Sequence, residues 1–397
     1  MEPTLAHLAA SPQALALLDT LPPYPQVDAL AWSSRWRSQG VDPQLAAVVL
    51  TQARLRHAAT AKLGPAATGM LFTQDGLEQA TRATVAAHHA ARFTRAGVRH
   101  VADLTAGIGV DAMALAAAGL DVSAWERDEP TAVLARHNLA PFARAQVFQG
   151  DSLTGVRGQH PRPDALFADP ARRTSRGRRH APEDYQPSLE DVRALARDWP
   201  VGIKVGPGIP HAALREEAFP DCETQWVSVD GAVVEAGLWH GDLATHPGRS
   251  ALVLRGEEAH TLTGSTAQAP VGALEEYLVE PDGAVIRAGL IDELARRHDA
   301  HLLHPSIAYL SAATPVLTPF GHTFHITDVL DAQEKHLSQA LRERGIGTLE
   351  IKKRGMDVDP DALRRRLRLR GSESATLILT RVGEDRVALL AQRIPTP

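Results

Sequence analysis

The chain has 397 residues, 44% hydrophobic and 22% charged, with a formal charge of −5 at neutral pH. That length suits two or three domains, and the acidic balance excludes a uniformly basic nucleic-acid binder, so any basic surface must be local. One cysteine excludes a disulfide framework and points to a reducing compartment; the opening M-E-P-T-L-A-H lacks a cationic region followed by an apolar core, and no apolar run could span a bilayer, so a cytoplasmic protein without a membrane partner is expected.

Residues up to about Gly97 read as helical. Leu5 to Leu18 is rich in Ala and Leu and stops at Pro22-Pro23. Asp42-Pro43 supplies an N-cap and a first-turn proline for a helix through about Leu63. Asp75-Gly76-Leu77-Glu78 has capping-box spacing and opens a further helix through about Arg92, with Gly97 as its end. Leu71 to Gln74 and Glu78 to Thr81 precede the first strand and are expected to border a pocket.

His100 to Asp111 (H-V-A-D-L-T-A-G-I-G-V-D) organises the middle of the chain. A short β-prone run, Val101 to Thr105, breaks at Gly107-Ile108-Gly109, and Val110 to Ala118 is strongly helical. A strand, a glycine turn and a helix N-terminus make the opening unit of a nucleotide-binding α/β fold. Gly107-x-Gly109-x-x-Ala112 satisfies the relaxed dinucleotide pattern, so a nicotinamide or flavin cofactor must be weighed. Against it, Asp103 would repel a pyrophosphate and suits a cationic ligand. Here the chain resembles the class I S-adenosylmethionine-dependent methyltransferases, whose first motif has the form D-x-x-x-G-x-G.

Strand and helix then alternate as in a doubly wound parallel sheet. Strands are expected at Asp121 to Glu126, Ala145 to Asp151, Ala165 to Pro170 and Val201 to Val205, with helices near Pro130 to Asn138, Ser188 to Arg197 and His211 to Glu217. A hairpin, Thr224 to Val229 and Val233 to Trp239, turns at Asp230-Gly231. Farther on come strands at Ser250 to Arg255 and Thr261 to Thr263, and a strand, turn and helix over Glu276 to Leu290. The last stretch reads as a small α/β module: strand Phe324 to Val329, helix Ala332 to Arg344, strand Leu349 to Lys353, helix Pro360 to Leu367, then strands Thr376 to Val382 and Val387 to Gln392.

Ligands of such a sheet lie beyond the carboxyl ends of its strands, and four carboxylates stand there: Asp103, Glu126, Asp151 and Asp169. On the methyltransferase pattern, Asp103 sets the donor's ammonium, Glu126 accepts from the ribose hydroxyls and Asp151 from the adenine amino group. Asp169 and Pro170 face the methyl group as the catalytic pair. Thr105, Gly107, Gly109 and Asp111 complete the expected cofactor set. The usual fourth motif, D/N-P-P followed by an aromatic, is here Asp169-Pro170-Ala171-Arg172, without the second proline or the aromatic; methylation on N or O remains open. Cys222 is remote in sequence, which disfavours attack by a pyrimidine carbon.

Five arginines, Arg172, Arg173, Arg176, Arg178 and Arg179, come after that motif. Arg172, Arg173 and Arg178 are candidates for a nucleic-acid backbone or a phosphorylated small molecule; a solvated loop is the plainer alternative. A second basic run spans Lys352 to Arg354 and Arg364 to Arg370. His298-x-x-His301-x-x-His304, with His322 and His325, has ligand-like spacing, but eighteen histidines make it cheap and no metal is expected.

Further stretches carry a closer resemblance: Leu71 to Arg82, Lys204 to Pro210 (K-V-G-P-G-I-P), Val227 to Trp239, Tyr277 to Leu290 and Ile351 to Pro360. Together they resemble a bacterial family of class I methyltransferases bearing a C-terminal THUMP-like domain. The resemblance implies a Rossmann-like seven-stranded methyltransferase sheet, an N-terminal helical region and a small C-terminal α/β domain. The expected divisions are 1–97, 98–241, 242–318 and 319–397. It also implies S-adenosylmethionine as cofactor and structured RNA, tRNA or rRNA, as partner. The alternatives are a small-molecule or protein methyltransferase and a catalytically silent protein binding S-adenosylmethionine or RNA; oligomeric state is not legible.

Overall fold

Prolines set where the first helices begin. In the computed structural model, which describes residues 1–24, 26–172, 185–214, 221–264 and 268–395, helix α1 spans Pro3–Ala9 and α2 Pro12–Asp19. Propensity predicts one helix there, but Pro12 has no N–H and its ring would meet the carbonyl one turn back. Ser11 caps the second helix instead, accepting from the Ala14 N–H at 3.2 Å. Helix α3, Ala29–Ser38, begins at an Asp28 cap and is not anticipated in the sequence reading. Helix α4, Pro43–Leu63, starts as expected, with Asp42 accepting from Gln44 and Leu45.

The helix expected from Asp75 to Arg92 is two: α5, Gln74–Gln79, and α6, Ala83–Arg95. Thr73, two residues earlier than expected, is the cap. Between them Ala80 and Arg82 are extended, both with ψ of 141°. The break leaves Thr81 buried and hydrogen-bonded to residues distant in sequence, which outweighs local helix propensity. Two buried amides clamp the approach: Gln52 exchanges hydrogen bonds with the Phe72 backbone, and Asn138 bonds both Leu71 and the Ile108 carbonyl.

The chain divides into two units, Met1–Cys222 with Gly237–Thr245, and Glu223–Ala236 with His246–Pro397. In the first, strands β1 (His100–Asp103), β2 (Asp121–Glu126), β3 (Ala145–Gln149) and β4 (Ala165–Ala168) alternate with helices α7 (Val110–Ala117), α8 (Glu129–Leu139) and α9 (Ser152–Gly155). Two short strands, β5 (Ala171–Arg172) and β6 (Tyr185–Gln186), pair antiparallel before α10 (Leu189–Leu195) and β7 (Val201–Val205). The order β7-β4-β1-β2-β3 is parallel throughout, so the direction of winding reverses beside β1. That reversal opens a crevice at the strands' carboxyl ends. Beneath, Phe93, Phe167 and Trp239 pack as aromatic pairs, with the Arg92 guanidinium 4.6 Å from the Trp239 ring centre. Gly202 is required there, since a Cβ would stand 2.5 Å from the indole.

In the second unit, β8 (Glu223–Val229) and the start of β9 (Ala232–His240) join through Asp230 and Gly231, both at positive φ, the geometry a D-G hairpin demands. Strand β10 (Gly248–Arg255) runs parallel to β8 and antiparallel to β11 (Glu258–Thr263). A seven-stranded sheet comes next, built from β12 (Tyr277–Pro281), β13 (His301–His304), β14 (Ile307–Ala312), β15 (Gly321–Asp331), β16 (Ile346–Lys353), β17 (Glu373–Val382) and β18 (Asp385–Arg393), in the order β13-β14-β12-β15-β18-β17-β16. Helices α11 (Gly283–Ala288), α12 (Ile291–Arg297), α13 (Glu334–Glu343) and α14 (Pro360–Leu367) accompany it, and Leu337, Leu341, Leu363 and Leu367 pack with Leu377 and Leu379. Strands β13 and β14 and helix α12 are additions to the elements read from sequence. Of the region expected as helix at His211 to Glu217, His211–Leu214 is a 3-10 turn and the rest lies outside the described residues. No described helix is long and apolar enough to cross a membrane.

Candidate active site

A cleft of about 1410 Å³ lies within the first unit, at the carboxyl ends of its strands. Asp103, Thr105, Gly107, Asp111, Glu126, Asp151 and Asp169 all line it. Gly109 and Pro170 do not. Gly109 sits at φ 94°, just before α7, where a Cβ would be 3.4 Å from the Leu139 side chain, so its work is the turn and helix packing. Arg172 contributes backbone to β5, while Arg173 and Arg178 lie outside the described residues. Of the approach expected to border the pocket, Thr73, Gln79, Ala80 and Thr81 do so; Leu71 and Phe72 are buried in apolar cores, and Gln74 donates to Glu78.

The carboxylates differ in environment. Asp103 is 1% exposed and accepts only a 3.1 Å hydrogen bond from the Thr105 N–H among the described contacts. Burial, and after it the charge of Asp111, pushes its carboxyl well above the usual range, with Asp169 and Glu126 adding to the effect. Glu126 accepts from the Gly107 N–H at 2.9 Å and the Asp128 N–H at 2.7 Å; burial still outweighs these amides and raises it. Asp151 accepts from the Thr154 N–H and caps α9. Asp111 is buried too, yet His89 Nδ1 at 2.9 Å, the Lys204 charge and the Thr81 hydroxyl at 2.5 Å outweigh burial and hold it low.

Asp169 meets a partner the sequence reading overlooked. Lys204 Nζ lies 2.5 Å from Asp169 Oδ2 and 2.9 Å from Thr81 Oγ1, and the Asp169 N–H donates to Thr105 Oγ1 at 2.5 Å. Lys204 is the penultimate residue of β7, so extending the strand-end rule to the fifth strand would have found it. Tyr185 was also missed. It lines the cleft, is 2% exposed, and its hydroxyl has no hydrogen-bond partner among the described residues. No local pattern announces it, because twelve residues separate the two strands of its ribbon.

This lining discriminates between the ligands weighed above. Asp75, Asp128, Glu190 and Asp191 join the expected acids, and Arg127 is the one Lys or Arg among the described lining residues. Such a surface repels a pyrophosphate and attracts an ammonium and a sulfonium. A Cβ at Gly107, with φ 55°, would meet nothing within 4 Å, so its backbone is open to a ligand. Three of the five histidines with ligand-like spacing have separate partners: His301 bonds the Ala273 carbonyl, His304 meets Ser306 and His325 pairs with Glu276. Among the described residues no group of three or more His, Cys, Asp or Glu could hold a metal.

A THUMP domain-like family model matches residues 321–393, and a model for a domain of unknown function matches residues 4–59. Two proteins of Mycobacterium tuberculosis, from strains CDC 1551 and H37Rv, are 37% identical over 338 residues, covering 83% of this chain and 91% of theirs. Both are described as uncharacterized S-adenosylmethionine-dependent methyltransferases. A crystal structure from Porphyromonas gingivalis W83, assigned to the methyltransferases, shares the fold with a TM-score of 0.76 at 23% identity, over 98% of each chain. Identity of that extent with the mycobacterial proteins, on a methyltransferase fold, makes this chain a member of the S-adenosylmethionine-dependent methyltransferases, with S-adenosylmethionine as its methyl donor and a THUMP-like domain at its C-terminal end.

Proposed function

We propose that the enzyme methylates an oxygen or nitrogen of a base or ribose in structured RNA, tRNA or rRNA. The observation that carries this reading is the THUMP domain-like match at residues 321–393. In this reading residues 1–97 form a helical region, 98–241 bind the donor, 242–318 connect and 319–397 dock RNA. Asp103 receives the donor's ammonium, which stabilises the ionised form that burial disfavours. Glu126 turns its remaining lone pairs to the ribose hydroxyls, Asp151 receives the adenine amino group, and Gly107, with Gly109 and Thr105, shapes the turn around them. Asp111 orders the site from beneath through Thr81. Bound S-adenosylmethionine supplies an already activated methyl group, so the protein has chiefly to orient the acceptor and exclude water. Asp169, with Pro170 beside it, faces that acceptor, and Arg172, Arg173 and Arg178 hold the RNA backbone.

Mass spectrometry of nucleosides from a deletion strain tests this: one methylated nucleoside of tRNA or rRNA should vanish and return on complementation. An unchanged set in both RNAs counts against it. A second reading, a small-molecule or protein acceptor, draws support from Glu190 and Asp191 on the cleft wall, which do not favour a polyanion. RNA binding that weakens steeply with salt and is reduced by Arg178→Glu separates the two.

A further inference from the structure

The acceptor end of the cleft has a charge arrangement that discriminates between acceptor atoms. Asp169 Oδ2 is bonded by the Lys204 ammonium, which also bonds Thr81 Oγ1. A second lysine stands nearby. Lys62 donates to the Leu77 and Glu78 carbonyls at 3.0 and 2.8 Å. Burial first, and then the charges of Lys204 and Arg82, hold its ammonium below the ordinary range, against Asp169 and Glu78, so cations stand behind Asp169 though none of the three lines the cleft. On the other side, β6 pairs with β5 so that Tyr185 stands opposite Arg172, three residues beyond Asp169, bringing to the cleft lining an aromatic residue whose buried hydroxyl has no hydrogen-bond partner among the described residues. The fourth motif itself lacks that aromatic.

Methylation of a neutral amine builds positive charge on nitrogen as the bond forms. A site for it wants bare hydrogen-bond acceptors and no cation; an ammonium already bonded to the carboxylate opposes that charge and occupies an acceptor oxygen. A hydroxyl makes the opposite demand. It must lose its proton, and negative charge on its oxygen must be held meanwhile. A carboxylate with an adjoining ammonium serves both needs.

We propose that Asp169, Lys204 and Tyr185 form a subsite for a hydroxyl acceptor, so that the enzyme is an O-methyltransferase; in RNA the acceptor is then the ribose 2′-hydroxyl. Only that ribose assignment rests on the RNA reading above. Asp169 takes the hydroxyl proton as the O–CH₃ bond forms; the S–CH₃ bond breaks with its electron pair remaining on sulfur, and the proton passes from Asp169 to solvent. Lys204 is a positioning residue, orienting Asp169 and offsetting negative charge at the acceptor oxygen. Tyr185 offers its hydroxyl to the acceptor.

The test incubates the full-length protein with S-adenosylmethionine carrying a deuterated methyl group and an extract of cells lacking the protein. RNA, protein and small molecules are then separated, and the labelled atom is identified by mass spectrometry. Label on oxygen is expected, in RNA as alkali-resistant dinucleotides, because a methylated 2′-oxygen cannot assist cleavage. Label on oxygen outside RNA keeps the hydroxyl subsite and removes the RNA reading. Label on nitrogen in any fraction, or no label in any, overturns the proposal.

Lys204→Met should lower kcat by roughly a hundredfold to a thousandfold, as loss of a preorganised charge does, while calorimetric affinity for S-adenosylhomocysteine changes less than about threefold. Lys204→Arg should recover at least about tenfold of that loss. If Lys204→Met does not fold, Tyr185→Phe is read instead, with a raised KM for the acceptor and unchanged S-adenosylhomocysteine affinity. Full activity in the folded Lys204 variant, or an unchanged acceptor KM in Tyr185→Phe, also overturns it.

Discussion

Asp103 and Asp111 stand eight residues apart on the same glycine turn, are both buried, and line the same cleft. Their environments are opposite. Asp111 is surrounded by groups that favour its charge, namely the His89 imidazole, the Thr81 hydroxyl and the Lys204 ammonium. Asp103 has one backbone N–H to set against burial and three neighbouring carboxylates. One acid is satisfied by the fold. In the proposed reading the other is satisfied by the donor's ammonium, whose binding relieves the cost of its ionisation.

Substitutions should separate the two. The largest effect is expected from Asp111→Ala, which breaks the buried His89–Asp111 pair and removes the acceptor of the Thr81 hydroxyl; urea denaturation should show a loss of about 3–5 kcal/mol. Asp103→Asn keeps an acceptor for the Thr105 N–H and removes the ionisation cost, so the unliganded protein should be unchanged or up to about 1 kcal/mol more stable. The same change should weaken S-adenosylmethionine binding by about tenfold to a hundredfold in calorimetry. A destabilised Asp103→Asn with undiminished affinity would erase the contrast.

Acidity sharpens it further. The raised Asp103 contributes stability that is present below its unfolded value and lost as pH rises through its folded one. The lowered Asp111 contributes stability present above its unfolded value and lost as pH falls through its folded one. Donor affinity should therefore rise with pH until Asp103 is ionised, with proton release on binding seen as a buffer-dependent enthalpy, and Asp103→Asn should abolish that dependence. Glu126→Gln places an amide donor against the Gly107 or Asp128 N–H, and should cost about tenfold in donor affinity. The smallest effect is expected at Ser11→Ala, a helix cap touching neither acid, at about 0.5–1 kcal/mol of stability and no change in binding.

Much of the architecture was local and hence legible. The run from His100 through Ala117, the Asp42-Pro43 start of α4, the Asp230-Gly231 turn, the strand-end placement of Asp103 and Glu126, and that of Asp169 and Asp151 one and two residues past β4 and β3, all derive from residues within a few positions of one another. Propensity, capping and turn chemistry act over that range. What tertiary structure decided lies at long separation. Lys204 reaches Thr81 across 123 residues and Asp169 across 35, and His89 reaches Asp111 across 22. Those contacts break the expected helix at Ala80 to Arg82, surround Asp111 with groups that favour its charge and bring a cation to Asp169. Tyr185 reaches the cleft by strand pairing in the same way. A hydrogen bond between distant segments leaves no periodicity in either, so the order of the acids could be read from the chain, while the charge each carries was settled only when the fold chose its neighbours.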